Sequence, residues 1–68
     1  MNFGLLYRPS NSMYYLSING DCTQIWHGDT SPETQALARA EAGRRMLVID
    51  PDFDESQVDG VEVSVLSE

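Results

Sequence analysis

The chain has 68 residues, 11 acidic against 4 basic, all four of them arginine, and a formal charge of −7 with 41 % hydrophobic and 22 % charged residues. A chain of this length makes a single domain, 1–68, and buries only about 60 % of its unfolded surface, which leaves no room for a cofactor domain or a deep substrate cavity and excludes a large enzyme. The composition is that of a folded globular chain, and the charge opposes direct contact with nucleic-acid phosphates and anionic membranes.

Phe3, Leu5 and Tyr7 alternate with Asn2, Gly4 and Leu6, the two-residue period of a strand, and Arg8-Pro9-Ser10-Asn11-Ser12 breaks it with turn formers. Met13 to Ile18 alternates again, with Tyr14, Leu16 and Ile18 on one face and Met13, Tyr15 and Ser17 on the other. Asn19-Gly20 signals a hairpin, because both residues tolerate positive φ, and Cys22 to Trp26 is the third strand. Gathering apolar groups on one face favours a three-residue loop, Asn19 to Asp21, which sets Ile18 opposite Cys22 and Tyr14 opposite Trp26. A two-residue loop would instead set Ile18 against Asp21, and a slip of one residue exchanges the faces.

His27-Gly28-Asp29 reads as a loop, and a helix starts near residue 31. Thr30 with Glu33 fits a capping box, and Ser31 as cap with Pro32 in the first turn fits equally well. Ala36, Ala40, Gly43 and Leu47 make a stripe of small residues, with Leu37 beside it, that lets the helix lie close to a sheet. The helix ends either at Gly43 or at Asp50-Pro51; the longer helix is favoured, since Gly43 leaves no loop before the apolar run that follows. Asp50 to Gly60 is an acidic loop that holds a short turn with Phe53 and Val58 as inward anchors. Val61 to Leu66 alternates once more as a final strand. The order strand, strand, strand, helix, strand predicts an α+β domain, a small mainly antiparallel sheet with one helix packed on one face.

Catalytic signatures are missing. Cys22 and His27 lie five apart, an odd spacing that points them to opposite faces of one strand, so Cys22 is expected in the core and His27 in a loop. A zinc site needs about four ligands, and two soft ones with scattered acids do not make one. Asp50-Pro51-Asp52-Phe53-Asp54-Glu55 opens like a calcium loop, but Glu55 and Val61 stand where that loop requires glycine and glutamate. Tyr14, Tyr15 and Trp26 are set aside as a base-stacking platform, because the chain has no lysine and a negative field. The expectation is a protein without catalytic residues, metal or cofactor. One cysteine makes no internal disulfide, and no signal-peptide pattern or long apolar run is seen, which together favour a reducing, cytoplasmic setting.

The placement of charge is more informative. Asp50, Asp52, Asp54, Glu55, Asp59, Glu62 and Glu68 are seven of the eleven acids and have no base among them, whereas the first twenty residues hold Arg8 and no acid. One reading is a solubilising face that blunts a sheet edge. The other is a surface that imitates phosphates: in extended chain, carboxylates two residues apart are about 6 to 7 Å apart on one side, comparable to a phosphate step. Asp50, Asp52, Asp54, Glu55, Asp59 and Glu62 are then the candidate partner-binding residues, and the partner is the basic surface of a protein or ribonucleoprotein.

In size, charge and the run Asp50, Asp52, Asp54, Glu55, Asp59, the chain resembles the phage-encoded inhibitors of bacterial defence, in particular anti-CRISPR proteins, several of which resemble nucleic acid in charge. The resemblance implies a stoichiometric inhibitor that binds a CRISPR effector complex in the host cytoplasm and blocks target DNA, and it transfers no residue role. The alternative expectation is an accessory subunit that forms a homodimer through an exposed sheet face at Met13, Tyr15 and Leu66.

Overall fold

A computed structural model describes residues 2–68. The elements are β1 (Phe3–Arg8), β2 (Met13–Ile18), β3 (Asp21–His27), α1 (Pro32–Ile49), the one-turn helix α2 (Ser56–Asp59) and β4 (Val63–Val65). The sheet order is β3-β2-β1-β4, antiparallel except that β4 runs parallel to β1. This is the α+β fold expected, a small sheet with one main helix on one face.

The β2–β3 hairpin departs from the expected register. Asn19 (φ 52°) and Gly20 (φ 92°) both adopt positive φ and close a two-residue loop, with Ile18 opposite Asp21. Such a turn matches the right-handed twist of the flanking strands, and this local preference outweighs the pairing of Ile18 with Cys22. Asp21 does not bring charge into the core, since it lies exposed at the end of the sheet. A bulge then restores the pattern. The register steps from Tyr15↔Gln24 to Tyr14↔Trp26, so Ile25 has no partner and turns into the core. Cys22, opposite Ser17, is therefore exposed on the open face of the sheet and not in the core, and His27 is the last residue of β3 rather than part of a loop.

Ser31 is the N-cap of α1: its Oγ accepts from the Thr34 amide at 3.3 Å, and Pro32 opens the first turn. The helix continues through Gly43 to Ile49 and stops at Asp50, before Pro51. Its inward row is Ala38, Ala42 and Met46, while Ala36 and Ala40 are exposed and Leu37 is half exposed. The predicted small-residue stripe is thus not the packed face. Alanines occur on every side of this helix and anchor none, and Met46, the large residue with no exposure, decides the rotation. Gly43 is buried against α2, where a Cβ would stand 3.5 Å from Val58 Cγ2, and not against the sheet.

The core joins Leu5, Tyr7, Tyr14, Leu16 and Ile25 of the sheet to Ala38, Ala42 and Met46 of α1. Tyr7 and Tyr14 are cross-strand neighbours with ring centroids 4.8 Å apart. Their hydroxyls donate to the carbonyls of Gly28 (2.9 Å) and Asp29 (2.6 Å), so two phenols beneath this loop set where α1 begins. Burial pushes the Tyr14 phenol above its ordinary value, with Tyr7 adding to the shift.

Candidate functional site

The segment 50–62 is a strap that runs back along one flank of α1. Three contacts trace it: the Asp50 amide donates to the Met46 carbonyl at 2.8 Å, Glu55 and Val58 lie against Gly43, and Arg39 Nε donates to the Val61 carbonyl at 2.9 Å. While the strap passes from Asp50 to Val61, its helix neighbour moves back from Met46 to Arg39, about 10 Å at 1.5 Å per residue. Two apolar anchors hold it down. Val58 is buried, and Phe53 meets Phe3 edge to face at 5.4 Å. Phe53 and Val58 are the two residues expected from the sequence to turn inward.

Within the strap the carboxylates divide into two kinds. Asp50 Oδ1 accepts from the Asp52 amide at 3.1 Å, and Asp54 Oδ1 accepts from Ser56 through its amide (3.0 Å) and hydroxyl (2.8 Å). The Ser56 hydroxyl, with its amide, holds Asp54 below the ordinary aspartate range. These two side chains close turns. Asp52, Glu55, Asp59 and Glu62 are exposed and, among the described residues, their side chains make neither hydrogen bond nor ion pair.

The even ladder expected of an extended chain is not present. Residues 51–52 turn and 56–59 are helical, because aspartates bond the amide two residues on and Pro51 stops α1. What forms instead is a short strip, with the six candidate residues confined to one flank of α1. Glu68 stands apart, bridged to Arg8 at 3.0 Å and accepting from the Ser10 amide at 2.8 Å.

The arginines leave this strip uncompensated. Arg8 pairs with Glu68, and Arg44 and Arg45 both reach Glu41, at 2.9 and 3.1 Å. Arg39 spends its Nε on a backbone carbonyl. The last turn of α1 has no basic residue, and Asp50 and Asp52 follow it directly. Negative charge beside a helix C-terminus opposes the helix dipole, so this placement weakens the fold.

Other candidates do not assemble. The bulge puts Cys22 and His27 on the same face of the sheet, against the expectation from their spacing, but opposite Ser17 and Met13, about 13 Å apart along β2. Among the described residues no three His, Cys, Asp or Glu groups converge to hold a metal ion, and no helix is long and apolar enough to cross a membrane. On the open sheet face, Tyr15 is half-buried, and its hydroxyl accepts from Asn11 Nδ2 (2.7 Å) and Gln24 Nε2 (3.4 Å) beneath the Arg8 guanidinium. Sequence reasoning missed two features. Arg39 latches the strap, a contact between distant segments with no local pattern, and a 230 Å³ groove opens between α1 and the hairpin, lined by Leu16, Ile18, Thr23, Arg45, Val48 and Ile49.

Compared with family models, with curated proteins and with solved structures, the chain matches none.

Proposed function

We propose that this protein is a non-enzymatic acidic binding protein that occupies the basic nucleic-acid-binding surface of a larger protein or ribonucleoprotein complex. The observation that carries the reading is the strip on the α1 flank: Asp52, Glu55, Asp59 and Glu62 are exposed without an internal cation, in a chain whose arginines are engaged elsewhere. Charge at a helix C-terminus costs stability, and a surface retained at that cost is suited to capture. Arginine and lysine of the partner would meet the carboxylates through charge-assisted bonds, and the negative field would steer the encounter. A CRISPR effector complex is the target that the resemblance in size and charge suggests. The reading does not need a phosphate-like ladder; it needs a dense anionic patch.

The test uses Asp52→Asn, Asp59→Asn and Glu62→Gln together, which spares the turn-closing Asp50 and Asp54. Binding to an arginine-rich peptide at low salt, and blocking of DNA capture by a basic DNA-binding protein, are expected of the native chain, to fall steeply with added salt, and to be lost in the triple variant. Equal binding by the native chain and the folded variant would contradict the proposal.

A further inference from the structure

The outward side of α1 is not that of a simply solvated helix. Opposite the buried row Ala38, Ala42 and Met46 lie Leu37, Glu41, Arg44 and Val48, at successive spacings of four, three and four residues, which is the seam spacing of paired helices. Leu37 is 50 % and Val48 84 % exposed, so an apolar residue stands at each end of the row. Its middle is an opposite-charge pair, Arg44 to Glu41 at 2.9 Å. A helix with apolar residues on both sides is suited to cover on both.

We propose that this face is a self-association surface, on which α1 packs antiparallel against α1 of a second copy of this chain. The row reads the same from either end in its chemistry. With a two-fold axis between positions 42 and 43, Leu37 meets Val48 of the partner subunit and Glu41 meets Arg44 of the partner subunit, and each contact occurs twice. Charge selects the occupant. Arg39, Arg44 and Arg45 against Glu33 and Glu41 give α1 a net +1, leaving −8 on the rest of the chain, so two copies repel except where these helices meet. The 230 Å³ groove adjoins Val48, with Ile18, Thr23 and Ile49 in its walls, and receives Leu37 of the partner subunit. A helix of 18 residues offers a seam about 27 Å long, at the low end of specific interfaces, so the pair forms at high protein concentration and dissociates on dilution.

Sedimentation of the intact chain from micromolar to millimolar concentration tests this. A concentration-dependent dimer is expected, and Leu37→Glu or Val48→Glu weakens it roughly a hundredfold, since each change acts twice across the two-fold axis. Glu41→Arg weakens it too, and Glu41→Arg with Arg44→Glu in one chain restores it, because the charges then exchange places across the seam. Leu37, Arg44 and Val48 are exposed, and circular dichroism checks that each variant is folded. In a Cys22→Ser background, a mixture of L37C and V48C chains is expected to cross-link where either chain alone does not. A monomer throughout the range, or a dimer untouched by Leu37→Glu and Val48→Glu, as one built on Met13 and Tyr15 of the sheet would be, overturns the proposal.

Discussion

The two flanks of α1 are built on opposite terms. On the sheet side, Leu16, Tyr14 and Met46 have essentially no exposure, and two tyrosine hydroxyls fasten the loop that leads into the helix. On the strap side, two apolar anchors and one arginine latch hold a segment whose exposed carboxylates have no internal partner. Stability resides in one flank and charge in the other, so changes to the charged residues need not reach the core. This separation is what a small domain requires if it must both fold and present an unfavourable charge density, since a single core of this size rarely supplies more than about 3 to 5 kcal/mol.

The comparison breaks most readily at the core. Leu16→Ala should cost about 2 to 5 kcal/mol, comparable to the whole stability of such a domain, and chemical denaturation should show a largely unfolded chain. Val58→Ala acts on the other flank and should cost about 1 to 2 kcal/mol. Its mark is local: amide exchange should quicken across 50–62 while β1 to β3 stay protected. Uniform quickening would mean that strap and sheet form one cooperative unit. Gly43→Ala sharpens the contrast, because the added Cβ would lie 3.5 Å from Val58 Cγ2 and 3.8 Å from Glu55 Oε2, ordinary contact distances. The gain in helix propensity should then stabilise the protein by about 0.5 to 1 kcal/mol, read as a raised denaturation midpoint.

The smallest effect is one of pH. Asp54 has a folded value below its ordinary one, so its bonds to Ser56 support the strap at every pH above the ordinary carboxylate range and are lost as pH falls through the depressed value. Exchange at the Ser56 amide should quicken in acid, and Asp54→Asn should abolish that pH dependence.

Much of this was legible in the sequence, wherever a local pattern decides the outcome. Alternation marks β1 and β2, Ser31-Pro32 marks the start of α1, Asp50-Pro51 marks its end, and Phe53 and Val58 stand out as apolar residues in an acidic loop. The hairpin register was not legible, because the Asn-Gly turn and the bulge at Ile25 each shift the pairing by one residue and together conceal both shifts at Trp26. Nor was the buried face of α1, where alanine occurs all round the helix and one methionine decides. As for the site, the sequence shows which residues are acidic and that none is followed by a base. Their gathering into a strip depends on Arg39 reaching the Val61 carbonyl and on Gly43 admitting Val58, contacts between segments far apart in the chain.

The most direct measurement maps amide chemical shifts while an arginine-rich peptide is added to the intact protein at low salt. The account predicts shifts concentrated in residues 50–62 and along the adjoining turns of α1, reversed by salt. Shifts centred on the open sheet face around Tyr15, or spread evenly over the surface, would contradict it.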